Sequence, residues 1–322
     1  MLDLLSIGDL MIDFTPAGIS EKGNPLFEQN PGGAPANVCV TVSGLGGKAG
    51  FMGKVGDEIF GHFLKKKLDE YGIDSRGLSF ASKGCTKLGY VTLDSNNDRS
   101  FFFVPNELAE INLTMEDVDK TLLDDCKVFL LSTVSQYRDP IRKTSAELID
   151  EFKKRGTRIA YDPNWNCAFS FDPQYERDTI RHTIVRADIV KISQEEFRFV
   201  YGNMGFSQVA DAVVSNGTQV FVITCGGEGC YYRTASCEGS IPAYAIQPLD
   251  TTGAGDAFMG GLLYRLTREN AQKIECMTKP EIEDIMRFAS ACGAICATKR
   301  GAMPSVYSID EVYRFMEKEE SR

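Results

Sequence analysis

Asp250-Thr251-Thr252-Gly253-Ala254-Gly255-Asp256 is the stretch of this chain best equipped for chemistry. Three residues with almost no side chain open an apolar helical run. At a helix start four backbone N–H groups lack partners, and with the helix dipole they form an anion site. Asp256 falls in the first turn, where the dipole favours its charged form. A charged carboxylate has no obvious use beside a site that only holds phosphate. It has one if it takes a proton from a hydroxyl that attacks a phosphoryl group. The plainer reading is a tight turn with an acidic residue at a helix N-terminus. A dinucleotide fingerprint starting at Gly253 would need glycine at position 258, which is Phe258. No G-x-x-x-x-G-K-[ST] occurs, so the chain is not a P-loop enzyme.

Composition removes other classes. The 322 residues include 35 basic and 45 acidic side chains, a net charge of −10. That balance argues against nucleic acid or anionic membranes as partners, which need clustered Lys and Arg. Only His62 and His182 are available for a zinc site or a Ser-His or Cys-His pair. None of the ten cysteines is spaced C-x-x-C, and they read as reduced cytosolic thiols. Asp3, Asp9 and Asp13 interrupt the first apolar stretch, which therefore does not read as a secretory signal. No run of 18 apolar residues exists to span a membrane. The expectation is a cytoplasmic protein.

The elements that must position Asp256 alternate. Leu2–Ile7 reads as a buried strand ending at Gly8, and Ala49–Val55 as another, followed by a helix over 58–71 stopped by Gly72. Strands at Val128–Leu131, Arg158–Tyr161, Asp188–Ile192 and Gln219–Thr224 interleave with helices at 139–155, 194–201 and 206–216. Cys230–Arg233 and Ile241–Tyr244 read as short late strands, and 254–268 and 280–298 as closing helices. Residues 271–279 read as an exposed loop and Lys318–Arg322 as a solvated tail. This rhythm predicts a mostly parallel sheet covered on both faces. Residues 87–94 and 99–104 break it as a hairpin turning at Ser95–Asp98, which predicts a small accessory sheet. In open parallel sheets ligands bind beyond the carboxyl ends of the strands. That rule selects Gly8–Asp13, Asp162–Asn164, Lys191–Glu196, Thr224–Gly229 and Asp250–Asp256.

Asp250–Asp256 resembles the C-terminal signature of the PfkB (ribokinase-like) carbohydrate kinases, and Pro31-Gly32-Gly33-Ala34-Pro35-Ala36-Asn37 resembles their N-terminal signature in its fructokinase form. The resemblance covers essentially the whole chain. It implies a single ribokinase-like kinase domain over 1–322, a three-layer α/β fold whose lid sheet comes from about 13–30 and 86–106. It implies Asp256 as catalytic base, with Gly253, Ala254 and Gly255 as the backbone anion hole for the γ-phosphoryl group. Asp13, Gly32, Gly33 and Asn37 would join Asp256 in holding the sugar. Lys191-Ile192-Ser193-Gln194-Glu195-Glu196 resembles the N-x-x-E motif, with Ser193 in place of Asn and Glu196 organising Mg²⁺ through water; Glu195 and Glu196 also suit a plain charged helix start. Thr224, Gly226 and Gly229 resemble the turn at the ATP phosphates. Ala289, Ser290 and Gly293 match the helix that walls the adenine. Asp250, Thr252, Cys296, Lys299, Gly301 and Ser305 match a monovalent-cation loop, which makes K⁺ a candidate activator. Lids of this family often pair, which implies a homodimer through the lid.

The branch motif points to fructose. Two arginines usual in fructokinases are absent, their aligned positions being Pro105 and Asn166. Their loss argues against an anionic sugar, whose carboxylate prefers a guanidinium partner. The alternatives are another kinase of the family, acting on ribose, a riboside or 2-keto-3-deoxygluconate, and a catalytically weak sugar-binding or regulatory protein on the same fold. Trp165, the single tryptophan, suits either a stacking wall for a sugar ring or core packing.

Overall fold

The structure, a computed structural model, describes residues 1–93, 99–166, 170–268, 271–303 and 307–320. In chain order the described strands are β1 (Leu2–Ile7), β2 (Met11–Ile19), β3 (Pro25–Gly32), β4 (Ala49–Gly56), β5 (Asp74–Ala81), β6 (Lys87–Leu93), β7 (Arg99–Phe103), β8 (Cys126–Leu131), β9 (Arg158–Tyr161), β10 (Ile189–Ser193), β11 (Val220–Thr224), β12 (Cys230–Thr234) and β13 (Glu238–Ile241). The α-helices are α1 (Ala34–Gly44), α2 (Ile59–Glu70), α3 (Ile141–Lys154), α4 (Pro173–Ile184), α5 (Gln194–Tyr201), α6 (Phe206–Ser215), α7 (Ala254–Arg268), α8 (Lys279–Ala297) and α9 (Ile309–Glu320).

Nine strands form the main sheet in the order β13-β12-β11-β10-β9-β8-β1-β4-β5. β11 through β5 pair in parallel, and β12 and β13 add an antiparallel edge. The central strands are apolar on both faces because helices cover both. In β1, Leu4 packs into the core shared with α1, α2, α7 and α8, while Leu5 and Ile7 pack into the core shared with α3 to α6. The second sheet, ordered β3-β2-β6-β7, is the expected lid. β6 and β7 are antiparallel, as the hairpin reading requires, and the turn at residues 95–98 lies outside the described residues.

Helix α7 positions Asp256. It is buried along nearly its whole length, and burying a side chain such as Leu262 or Leu263 contributes roughly 1.5–3 kcal/mol. Two glycines let its neighbours approach. A Cβ on Gly260 would lie 2.6 Å from Thr41 Cβ on α1, and one on Gly261 would lie 2.7 Å from Cys292 Sγ on α8. The Ser6 hydroxyl of β1 donates to the Pro35 carbonyl (3.1 Å), tying the start of α1 to the sheet.

Several elements differ from the expectation. The last strand is Glu238–Ile241 rather than Ile241–Tyr244; Pro242, with no N–H to give, follows it directly. Residues 271–276 form a 3₁₀ turn that buries Ile274 instead of an exposed loop. The supposed tail belongs to α9 as far as Glu320. β5, α1, α4 and α9 had no counterpart in the sequence reading. α9 is amphipathic, with Val312 and Met316 buried four residues apart on one face.

Candidate active site

Asp256 and Asn37 meet at the carboxyl edge of the main sheet. Asn37 lies in the first turns of α1, Asp256 in the first turn of α7, and Asn37 Nδ2 donates to Asp256 Oδ2 at 2.8 Å. Both side chains are buried. The other amide atom, Asn37 Oδ1, is buried without a hydrogen-bond partner and is free to accept a ligand hydroxyl. The Asp256 carboxyl is pushed up to about 7, chiefly by burial and then by the charge of Asp162; the Asn37 hydrogen bond and Lys191 pull it down, and Asp9 adds a smaller upward push. The helix dipole alone led to the opposite expectation, and burial outweighs it. A carboxylate titrating near neutrality can take a proton and give it up again at working pH.

Gly253, Ala254 and Gly255 open α7 beside this carboxylate. Gly253 has φ +78°, and a Cβ there would lie 2.4 Å from the Ala302 methyl, so the turn requires glycine. A Cβ on Gly255 would lie 3.1 Å from Lys191 Nζ. Lys191 is buried within β10 and pairs with Asp162 at 2.7 Å. Its ammonium therefore sits against the start of α7, a position the sequence reading did not assign. The signal was present: a lysine inside Ile-Val-Lys-Ile is a charge in a buried strand, which needs a partner.

Glu196 is buried, and its two oxygens accept from the backbone N–H of Trp165 (2.7 Å) and of Ser193 (2.7 Å). Ser193 Oγ accepts from Glu196 N in return, a capping box for α5. So the pair does helix-start work, and the carboxylate still stands beside Lys191 and Asp162, whose charges act on it. One acid acting through water suits Mg²⁺, which keeps most of its hydration. Among the described residues no cluster of three acidic, His or Cys side chains could enclose a metal. Glu195 is exposed.

Asp13 lies on β2 against β3. Gly32 has no side chain because the Asp13 carboxylate occupies that space: a Cβ there would lie 2.2 Å from Asp13 Oδ2. Gly33, at φ +116°, packs its α-carbon against the Asp9 carbonyl, which a Cβ would approach to 2.3 Å. The two glycines thus let β3 close on β2 and aim Asp13. Asp13 Oδ1 is buried with no hydrogen-bond partner, and burial plus the Asp9 charge push its carboxyl to about 6 against the pull of Lys87. A cavity of about 20 Å³ is bounded by Asp13, Thr15 and Asn30 on the lid and by Asp250, Thr252 and Gly301 on the body. A larger groove of about 1360 Å³ opens at the opposite sheet edge, away from these carboxylates.

Asp250 ties the candidate cation loop together. Its oxygens accept from Thr252 N (2.9 Å) and Gly301 N (2.9 Å), and Cys296 Sγ donates to the Thr252 carbonyl (3.6 Å). The Lys299 side chain pairs with Glu311 at 2.9 Å, which leaves its backbone carbonyl to the loop, and Ser305 lies outside the described residues. On the nucleotide side, Thr224 ends β11, and nothing lies within 4 Å of a Cβ on Gly226 or Gly227. That open backbone can face a ligand. Gly229 is held by packing, since its Cβ would strike the Ile241 carbonyl at 2.0 Å. Ala289 is fully buried against α7 at Gly261, Gly293 packs on the Ala254 carbonyl, and Ser290 is half-buried. Trp165 stacks on Phe199 at 3.7 Å between ring centroids, and its Nε1 donates to Glu176 Oε2 at 2.8 Å. These contacts are the core-packing role. Pro105 and Asn166 are both exposed.

A carboxylate titrating near neutrality in the first turn of a helix opened by Gly-Ala-Gly suits a small-molecule phosphoryl-transfer enzyme. Comparison with known proteins narrows the class. The model of the pfkB family carbohydrate kinases matches residues 1–308, and the chain belongs to that family. It is 37% identical to Fructokinase-1 of Oryza sativa subsp. japonica over 98% of this chain and 97% of that one. The fold matches fructokinase with bound ATP from Xylella fastidiosa with a TM-score of 0.90, at 26% identity and 100% coverage of both chains. It matches a double-mutant fructokinase from Vibrio cholerae O395, bound to fructose, ADP and potassium ion, with a TM-score of 0.85, at 30% identity and 97% coverage of both. Among the described residues no helix is long and apolar enough to cross a membrane.

Proposed function

We propose that the protein transfers the γ-phosphoryl group of ATP to a primary hydroxyl of fructose, with Asp256 as the base. The observation that carries this reading is the Asn37–Asp256 pair, which places a carboxylate titrating near neutrality beside the start of α7. In this scheme Asp13 and Asn37 Oδ1 accept sugar hydroxyls, and Asp256 removes the proton of the attacking one. The N–H groups of Gly253 to Gly255 hold the transferring phosphoryl oxygens, with Lys191 beside them. Glu196 holds Mg²⁺ through water, and the ion when bound offsets phosphate charge. The open backbone at Gly226 and Gly227 faces the nucleotide, and residues 1–322 act as one kinase domain with an inserted lid.

The cleft favours a neutral sugar. Among the described residues Asp13 and Asp256 carry no ion pair, and the two nearby lysines are already paired, Lys87 with Asp9 and Lys191 with Asp162. An anionic sugar would meet uncompensated carboxylates. The fructokinase relatives and the fructose-bound structure of one support fructose in particular. The loop around Asp250 takes K⁺ in this scheme, as the potassium ion in that same structure suggests.

The lid also carries exposed apolar side chains, Ile19, Leu26, Phe27 and Phe102, on a sheet whose edge strands are β3 and β7. Exposed strand edges of this kind invite pairing. A homodimer joined through the lids is the arrangement this surface suits, and sedimentation of wild type against Ile19→Lys tests it. The function itself is tested by incubating the protein with fructose and MgATP and following ¹³C and ³¹P spectra. A phosphate ester on one primary carbon of fructose supports the reading. Unchanged fructose, with a different sugar converted, overturns it.

A further inference from the structure

Beneath the lid lies a buried charge cluster that no motif marks. Lys87 is the first residue of β6, paired in register with Met11 of β2. Its Nζ stands 3.0 Å from Asp9 Oδ2 and 3.6 Å from Glu110 Oε1. It also lies 5.4 Å from the centre of the Phe103 ring on β7. The three charged side chains are 15%, 8% and 7% exposed. They come from three places: Asp9 from the link between β1 and β2, Lys87 from the lid, and Glu110 from the body after β7. The ammonium thus clamps the root of the lid to the body.

Two contacts connect this cluster to the sugar side. The Asp9 carbonyl is the atom packed against Gly33, so whatever fixes Asp9 fixes the start of α1 and, four residues on, Asn37. Asp13 also feels both partners: Asp9 raises its carboxyl and Lys87 lowers it. Burial and Asp9 push Glu110 up to about 7, and Lys87 opposes this too. One buried cation therefore balances three carboxylates, Asp9, Asp13 and Glu110. At the positions where fructokinases usually carry arginine this chain has Pro105 and Asn166, which carry no charge.

We infer that Lys87 is a positioning and specificity residue for the sugar: by balancing Asp9 and Glu110 at the root of the lid, it holds the Asp13 carboxylate and the Gly33 backbone in place to receive the sugar hydroxyls. The inference rests on the reading of Asp13 as a sugar ligand. Lys87 touches neither the phosphoryl group nor the base, so its loss acts on sugar binding and leaves nucleotide binding alone.

The test compares wild type with Lys87→Met, Lys87→Arg and Glu110→Gln, each checked by thermal unfolding. Lys87→Met raises the KM for fructose at least ~10-fold, the loss of one charge-assisted hydrogen bond, with KM for ATP unchanged and kcat within about twofold. Lys87→Arg restores most of the affinity. The Asp13 carboxyl, followed by ¹³C NMR without any substrate, titrates at least ~0.5 pH unit higher in Lys87→Met. It titrates lower in Glu110→Gln, where the ammonium has one carboxylate fewer to balance. These opposite shifts are not expected of a purely structural residue, and Glu110→Gln keeps the test open should Lys87→Met fail to fold. An unmoved Asp13 titration, or KM values for fructose and ATP that rise together, overturns the inference. If wild type leaves fructose untouched, the fructose reading fails, and the Asp13 titrations still decide the role of Lys87.

Discussion

Asn37 Nδ2 reaches Asp256 Oδ2 across 2.8 Å, joining two helix starts that lie 219 residues apart in the chain. The bond does two jobs. It uses the donor side of the amide to hold the Asp256 carboxylate, and it leaves Asn37 Oδ1 buried with no partner. It also favours the ionised form of Asp256, against the burial that favours the neutral one.

Replacing Asp256 with Asn keeps the shape and removes the base. We predict a fall in kcat of at least ~100-fold, with ATP binding retained. The variant is also the more thermostable of the two at pH 8. Wild type must ionise a buried carboxyl whose folded value, about 7, lies above its ordinary 3.8, so this group costs stability progressively as pH rises through that window. The gain in Tm disappears at pH 4, where both proteins are neutral at this site. Differential scanning calorimetry at the two pH values checks it.

The pH profile follows from the same carboxyl. Asp256 is competent only when ionised, so kcat/KM for the sugar rises with pH through about 7 and levels above it. Asp13, near 6, must also be ionised to accept hydroxyls fully, so the acid limb steepens below that value. Asn37→Ala removes a bond that favours the charged form and moves the Asp256 limb to higher pH. A limb that stays in place in this variant contradicts the assignment.

Much of this was legible in the residues, and the reasons differ from place to place. Gly253 and Gly255 before Asp256 marked a tight helix start, which the φ of +78° at Gly253 bears out. The β6–β7 hairpin showed as alternation where the surrounding chain reads α/β. Lys87, Asp9 and Glu110 stayed hidden because a charged residue's partners are set by topology: Lys87 and Asp9 are 78 residues apart. The contacts that Gly32 and Gly33 make inside the chain did not show in the residues. They make room for Asp13 and for the Asp9 carbonyl.

Gly253→Ala tests the anion hole without touching a charge. A φ of +78° costs an L-residue roughly 1–2 kcal/mol, and the added methyl meets Ala302 at 2.4 Å. We predict a loss of kcat of at least ~10-fold as the α7 N-terminus shifts, since a displaced oxyanion donor is costly. Gly226→Ala carries similar backbone strain at φ +54° but meets nothing within 4 Å, so it loses less activity than Gly253→Ala. Equal activity in both variants contradicts the distinction.

The cation loop predicts faster turnover in KCl than in tetramethylammonium chloride of the same ionic strength. Asp250→Asn keeps its shape but weakens the bonds to the Thr252 and Gly301 amides, and it loses that difference. Equal rates of wild type in the two salts would remove K⁺ from the scheme.

The central claim is that this cleft phosphorylates a neutral sugar, fructose first among them, by way of Asp256. The most direct measurement is ADP release from MgATP in K⁺ buffer with fructose, ribose, 2-keto-3-deoxygluconate and a set of nucleosides, run side by side with Asp256→Asn. The prediction is kcat/KM for fructose at least ~10-fold above each of the others, as a cleft built to pair particular hydroxyls allows, and no sugar-dependent release in the variant. Higher kcat/KM with 2-keto-3-deoxygluconate, or fructose-dependent release that survives in the variant, would contradict it.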